Sequence, residues 1–150
     1  MRAIMSTILN GIGIREIRET SDAQVARKLI EENVFDLALI DFHMEGVNGV
    51  ELTRYMRRSP KSLNPYVPII MVTGHSERSR VMEARDAGIT EFAAKPVTAK
   101  TLLARLEAVI FHPRPFVQCK AYFGPDRRRR NAPGFSGPFR RSSDKAFLIN

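Results

Sequence analysis

The 150-residue sequence contains no tryptophan and a single cysteine, Cys119. One thiol cannot form an internal disulfide or a multi-thiolate zinc site. No apolar stretch approaches the ~20 residues that span a bilayer, and the first residues lack the basic start, apolar run and cleavage site of a signal peptide. We therefore expect a cytoplasmic protein without a transmembrane segment.

The excess positive charge is confined to one part of the chain, whose formal net charge is +8. Residues 1–110 hold 15 Lys/Arg against 14 Asp/Glu, whereas residues 111–150 hold 9 against 2. The second segment also holds five of the nine prolines and seven of the twelve Phe and Tyr residues. This composition predicts a body over 1–110 and a basic, Pro/Arg-rich tail over 111–150 that is largely disordered.

Three short apolar runs in the body are typical of strands buried on both faces of a parallel sheet. The runs span 34–41, 67–73 and 91–95, and they end in Asp41, Thr73 and Lys95 respectively. Helical patterns lie between and around them, with helix starts at Ser21 or Asp22, Gly49, Ser76 and Thr98. Strands that alternate with helices predict an α/β fold with right-handed crossovers.

The three polar residues that end the apolar runs form a candidate site. Loops after the carboxyl ends of parallel strands form the ligand crevice, so Asp41, Thr73 and Lys95 are expected to meet there. A carboxylate can act as the nucleophile that forms an acyl phosphate. The hydroxyl can donate to a phosphoryl oxygen, and the lysine can offset its charge. Each residue alone also fits a turn or cap role, but the three together favour a phosphoacceptor site.

The body resembles the receiver domains of bacterial two-component response regulators of the chemotaxis type. The resemblance covers roughly residues 1–110 and rests on Leu39-Ile40-Asp41-Phe42-His43-Met44-(x)4-Gly49, Val72-Thr73-Gly74 and Ala94-Lys95-Pro96. It implies a flavodoxin-like doubly wound parallel sheet. It also implies that Asp41 accepts a phosphoryl group from a histidine kinase or a phosphotransfer protein. Such a protein is a signalling protein rather than an enzyme, with at most self-catalysed phosphotransfer and dephosphorylation.

The resemblance assigns further residues to switching. Thr73 would be the switch hydroxyl, Phe92 the switch aromatic, and the Lys95-Pro96 bond would be cis. A downstream protein target would bind the face formed by residues 76–110. His43 and His75 would flank the phosphoryl group and either hinder or orient the water that removes it. The plainer interpretation of both histidines is that they are exposed loop residues.

The largest departure from the family is at the start of the chain. Receiver domains open with a strand that ends in two adjacent carboxylates, which bind Mg²⁺. Residues 1–12 fit the helix that follows this strand, and Gly13-Ile14 fits the next motif. The first strand and the acidic pair are therefore absent and would lie upstream of Met1. Asp41 and the backbone carbonyl of His43 remain as candidate Mg²⁺ ligands.

Two explanations of this departure are open. Either an N-terminal segment is missing from the sequence, or the domain has lost metal-dependent phosphorylation. We favour the first, because Asp41, Thr73 and Lys95 are all retained. A third and less favoured idea is that Lys145–Ile149 fills the gap left by the first strand. A smaller departure is Asn48, which stands where the family often has aspartate.

Two other functions compete with the phosphoacceptor hypothesis. A pseudo-receiver would bind a partner without phosphorylation, which the missing acidic pair favours. The tail over 120–141 contains Arg127–Arg130 with phenylalanines nearby, a pattern that suits nucleic acid or an acidic partner. A solvated linker is the plainer interpretation of the tail.

Overall fold

The fold is that of a computed structural model, which describes residues 2–44, 46–74, 78–128 and 145–147. Helices and strands alternate through the body as expected, and three short strands follow. The elements are α1 Arg2–Gly11, α2 Ala23–Glu32, β1 Ala38–Asp41, α3 Gly49–Arg58, β2 Ile69–Thr73, α4 Arg78–Ala87, β3 Glu91–Ala94, α5 Ala99–Phe111, β4 Phe116–Gln118, β5 Phe123–Pro125 and β6 Lys145–Phe147. None of the helices in the described ranges has the length and apolar character that a membrane span requires.

The body contains a parallel three-stranded sheet in the order β1-β2-β3. Asp41 lies opposite Val72, and Thr73 lies opposite Ala94. Every residue of the central strand β2 is buried, because helices cover both faces of the sheet. The near-continuous apolar character of these runs therefore predicted their place correctly.

Helices pack on both faces of the sheet, as in a doubly wound fold. One core cluster joins the sheet to α2, α3 and α4 and includes Ile30, Met56 and Ala84. The other joins it to α1 and α5 and includes Met5 and Leu106. Burial of these apolar faces provides most of the stability of such short helices.

Three of the helices begin at a side chain that accepts backbone hydrogen bonds. Asp22 caps α2, Asn48 caps α3 and Thr98 caps α5. Such caps satisfy amide groups that have no partner within the helix. Gly88 follows α4 with a φ of 103°, a conformation that favours glycine.

The first strand of the family pattern is absent from the described residues, as the sequence predicts. In the part of the chain that the structure describes, β1 pairs with β2 alone. Residues 14–20 form neither helix nor strand. In the family order 2-1-3-4-5 the second strand pairs only with the first, so this segment lacks a neighbour. Ile14 and Ile17 still pack against the core beside α1.

The prediction of a disordered tail from residue 111 is wrong for the segment that ends at Arg128. The strands β4 and β5 pair antiparallel and form a hairpin over residues 115–126, which we call the C-terminal hairpin. The suggestion that Lys145–Ile149 fills the sheet gap is also wrong, because Lys145–Phe147 pairs with β4 instead. Residues 129–144 and 148–150 lie outside the described residues.

The C-terminal hairpin packs on the body through a buried arginine. Arg57 of α3 donates to the carbonyls of Gly88, Pro65 and Val67 at 2.7–2.9 Å. Its guanidinium carbon lies 5.0 Å from the ring centre of Phe116 in β4. Composition alone did not reveal this packing, because the hairpin depends on partners in the body rather than on its own periodicity.

Candidate functional site

The carboxyl ends of the three parallel strands place the predicted site residues at one edge of the sheet. Asp41 is the last residue of β1, Thr73 is the last residue of β2, and Lys95 directly follows β3. The backbone amide of Lys95 donates to the Thr73 carbonyl at 2.9 Å. The parallel pairing of the strands thus brings these three positions together.

Asp41 and Lys95 form a close ion pair. The distance from Lys95 Nζ to Asp41 Oδ2 is 2.6 Å, and the side chains of Lys95 and Asp41 are 27% and 26% exposed. The other carboxylate oxygen, Oδ1, accepts a hydrogen bond from the His43 amide at 3.0 Å. The carboxylate is therefore fixed in direction and still reachable from solvent.

Thr73 is buried at the end of the central strand. Its backbone is held by the pairing of β2 with β3 and by the Lys95 amide. The next residue, Gly74, is exposed. A Cβ atom at Gly74 would lie 3.8 Å from Lys95 Cδ, so the Lys95 side chain passes close to this loop.

The loop after Asp41 is closed by Asn48 and Gly49. Gly49 donates its amide to the Phe42 carbonyl at 3.0 Å. A Cβ atom at Gly49 would lie 2.2 Å from the Asp41 carbonyl oxygen, so no larger residue fits there without movement of the backbone. Asn48 accepts from the Val50 and Glu51 amides at 2.7 and 3.0 Å. The amide side chain therefore caps α3 despite the departure from aspartate.

An arginine that sequence analysis did not assign to the site lies beside it. Arg80 Nη1 lies 2.9 Å from His43 Nε2, and the guanidinium lies 5.7 Å from the Phe42 ring centre. Because a guanidinium only donates, His43 Nε2 accepts in this contact. The two residues are 37 positions apart, so no local pattern could have paired them. His75 lies outside the described residues.

Phe92 occupies the middle of the third strand. It is half-buried, lies opposite Met71 and packs against the core cluster that contains α4. The Lys95-Pro96 peptide bond is cis, as predicted. The position assigned to the switch aromatic thus lies in β3 and packs against the core cluster that includes residues of α4.

The described residues do not form a magnesium site by themselves. No group of three or more His, Cys, Asp or Glu side chains close enough to hold a metal ion occurs among them. Both oxygens of the Asp41 carboxylate already accept hydrogen bonds, one from Lys95 and one from the His43 amide. Mg²⁺ requires near-octahedral oxygen ligation, which one carboxylate and the His43 carbonyl do not supply.

Comparison with known proteins identifies the fold around this site. Residues 1–107 match the family model of the response regulator receiver domain. The chain belongs to this family. Receiver domains act in two-component phosphorelay signalling, and they interact with histidine kinases and downstream targets. The family binds Mg²⁺ in its active site.

Chemotaxis proteins are among the relatives of this receiver domain. It is 28% identical to the chemotaxis protein CheY-3 of Vibrio cholerae over 73% of this chain and 82% of that protein. It is 29% identical to the chemotaxis protein CheY of Pseudomonas aeruginosa, over 73% of this chain and 86% of that protein. The C-terminal hairpin lies beyond the residues that match the family model.

Solved structures agree with this assignment. The chemotaxis response regulator CheY4 of Vibrio cholerae has a TM-score of 0.66 at 26% identity, covering 73% of this chain and 88% of that chain. The receiver domain of the sensor histidine kinase PA1611 of Pseudomonas aeruginosa has a TM-score of 0.62 at 24% identity, covering 71% and 84%. That structure has a magnesium ion coordinated in its active-site cleft.

Proposed function

We propose that this receiver domain accepts a phosphoryl group on Asp41 and thereby switches a protein-interaction face. The observation that carries the proposal is the 2.6 Å pair between Asp41 and Lys95 at the carboxyl edge of the sheet. A partly exposed carboxylate beside a fixed ammonium can meet a phosphodonor, while the cation offsets the charge that develops. The donor would be a histidine kinase or a phosphotransfer protein.

The reaction is the transfer of a phosphoryl group from the donor to the Asp41 carboxylate. A carboxylate oxygen of Asp41 attacks the phosphorus of the donor, and the bond from phosphorus to the donor nitrogen or oxygen breaks with the electron pair on the donor. The product is an acyl phosphate, which water later hydrolyses to the carboxylate and inorganic phosphate. Lys95 pairs with the new phosphoryl oxygens, and the Thr73 hydroxyl donates to one of them. Because the described residues do not fit Mg²⁺, no step is assigned to it.

The switch follows from the added charge. Phosphorylation adds about −1.5 to −2 charge at Asp41. The phosphoryl group favours the conformation in which Thr73 and Phe92 are drawn inward. The surface that changes is the 76–110 face, which carries α4, β3 and α5, and a downstream protein binds there.

Intact-mass spectrometry after incubation with acetyl phosphate tests the proposal. The wild-type chain should gain one phosphate, and Asp41→Asn should gain none. Asp36→Asn, which alters an exposed carboxylate just before β1, is the matched control and should gain one. Absence of any gain, or a gain that persists in Asp41→Asn, would refute phosphorylation at Asp41.

The described residues do not form a magnesium site, which favours one alternative, a pseudo-receiver that binds its partner without phosphorylation. A folded wild-type chain that gains no phosphate from acetyl phosphate, with or without Mg²⁺, supports this alternative. Nucleic-acid binding by the tail receives less support. Arg127, the first arginine of the basic run, already pairs with Asp86 of α4 at 2.6 Å.

A further inference from the structure

The C-terminal hairpin is in close contact with the end of α4 that lies away from Asp41. A Cβ atom at Gly124 would lie 2.8 Å from Gly88 Cα, and a Cβ atom at Gly88 would lie 2.8 Å from the Phe123 carbonyl oxygen. The two backbones therefore touch at Gly88, the residue that directly follows α4, and no side chain separates them. A contact of this kind has little tolerance for displacement, because packed interiors are not continuously deformable.

Side-chain hydrogen bonds and an ion pair stabilise the contact between the hairpin and the end of α4. Arg127 Nη1 pairs with Asp86 Oδ1 at 2.6 Å in the last turn of α4. Arg114 donates to the Thr90 carbonyl just before β3 and to the Asp126 carbonyl at 2.9 Å. Arg57 donates to the Gly88 carbonyl at 2.9 Å and is only 3% exposed. The hairpin thus holds the junction between α4 and β3 rather than lying on it loosely.

The opposite end of α4 is tied to the phosphorylation site. Arg80 in the first turn of the helix contacts His43, whose own amide donates to Asp41. This ten-residue helix is about 15 Å long. One helix therefore carries contacts to the candidate phosphoacceptor at its start and to the C-terminal hairpin at its end.

We propose that the C-terminal hairpin is a clamp on α4 that opens when Asp41 is phosphorylated. This inference rests on the proposed function. Phosphoryl oxygens accept from a guanidinium more strongly than an imidazole nitrogen does, so the phosphoryl group draws Arg80 away from His43. The start of α4 follows Arg80, and the rigid helix carries its far end out of the close contact with Gly124.

The coupling also acts in reverse. If phosphorylation favours the open clamp, an open clamp favours the arrangement of α4 that phosphorylation selects. Loss of the clamp therefore prepares the chain for phosphorylation. The hairpin lies beyond the residues that match the family model, so the device belongs to this chain's extension.

Hydrogen exchange of the hairpin amides, read by mass spectrometry on the full chain, tests the clamp. We expect about five-fold faster exchange in β4 and β5 after incubation with acetyl phosphate, the lower end of ordinary coupling between sites. Arg80→Ala should accelerate the same amides without any phosphodonor, because α4 loses its tie to His43. The β2 amides are the internal reference and should not change in either case.

A substitution that disturbs the contact between the hairpin and α4 tests the coupling in the reverse direction, from the hairpin to Asp41. Gly124→Ala places a Cβ atom against Gly88 Cα and the Tyr122 hydroxyl and should raise the extent of phosphorylation at a limiting acetyl phosphate concentration several-fold. The matched control is Gly11→Ala, because a Cβ atom there meets nothing within 4 Å. Arg127→Ala removes the pair with Asp86 and should act in the same direction as Gly124→Ala, while Arg128→Ala at the next exposed position should not.

The outcomes separate the two proposals. If the chain takes up phosphate and hairpin exchange stays unchanged, the clamp is refuted and phosphorylation at Asp41 stands. If the chain takes up no phosphate, the proposed function fails and the opening of the clamp by phosphorylation fails with it, so the Arg80→Ala arm tests only whether α4 links the site to the hairpin. Unchanged hairpin exchange in Arg80→Ala then overturns the link through α4, and faster exchange supports it.

Discussion

Lys95 holds the Asp41 carboxylate at 2.6 Å in a partly exposed site. Removal of this ammonium takes away the charge that offsets the transferring phosphoryl group. Loss of one such preorganised donor ordinarily slows a reaction about 10²-fold, and we expect Lys95→Ala to slow phosphate uptake from acetyl phosphate by this order. Time-resolved intact-mass spectrometry measures the rate. Lys100→Ala, at an exposed position on α5, is the control, and an equal rate in Lys95→Ala would contradict this role.

The phenol of Tyr122 makes the stability of the folded chain depend on pH. Burial raises the pKa of Tyr122, opposed by Arg127, Arg57 and Arg114. Its hydroxyl donates to the Pro125 carbonyl at 2.6 Å. Above about pH 10 the unfolded chain loses this proton first. The folded state then binds more protons, and stability falls as pH rises through the folded pKa.

Urea denaturation of wild type and Tyr122→Phe measures this contribution. We expect the variant to be less stable by about 1 kcal/mol near neutral pH, the usual value of one hydrogen bond. The difference should shrink above pH 10, because only wild type carries the phenol that ionises on unfolding. A difference for Tyr122→Phe that does not change with pH would disprove the assignment.

The structural role of some residues can be predicted from the sequence alone, and that of others cannot. Asp41, Thr73 and Lys95 stand out because each ends an apolar run, and parallel pairing makes such ends meet. Arg57 and Arg80 carry no such mark, since their contacts reach 31 and 37 positions along the chain. Burial lowers the pKa of Arg57 to about 9. This value is still above neutral pH, so the buried side chain is charged there. A local pattern would instead place such a cation on the surface of the helix.

The strand β1 has one paired and one open edge in the described part of the chain. Ala38 and Phe42 donate their amides to Pro68 and Val72 at 2.9 and 2.8 Å. Amides alternate in direction along a strand, so those of Leu39 and Asp41 point toward the open edge. We expect Leu39 and Asp41 to exchange their amide protons faster than Ile40 and Phe42, as read by NMR. The amides of β2 should all be slow, and uniform protection along β1 would show that its second edge is covered.

Elements of different length were predictable to different degrees. Helices of ten or more residues are predicted by their apolar periodicity and by capping residues such as Asp22 and Thr98. The strands β4 and β5 are three residues each, and β5 contains a glycine and a proline, so the composition of this segment indicates disorder. Their stability comes from the contacts with Arg57 and Gly88 in the body. No pattern within the hairpin could reveal partners that are supplied by the rest of the fold.

The hairpin and the receiver body share one aromatic cluster. Tyr66, which precedes β2, lies 5.3 Å from the ring centres of both Phe116 and Phe123. Edge-on aromatic pairs of this kind add about 0.5–1.5 kcal/mol beyond area burial. Together with the buried Arg57, the cluster joins the C-terminal hairpin to the receiver body in one packed unit. The boundary expected at residue 111 therefore falls inside a folded region.

A single packed unit is expected to unfold in one step. Far-UV circular dichroism reports the helices of the body, whereas tyrosine emission reports the junction, because the chain has no tryptophan and only three tyrosines. Tyr55→Phe removes the tyrosine outside the junction, which leaves Tyr66 and Tyr122 as the emitters. In that variant we expect the urea midpoints of the two signals to coincide. A tyrosine midpoint at lower urea would mean that the hairpin detaches from a body that remains folded, and that the clamp contributes nothing to the cooperativity of the chain.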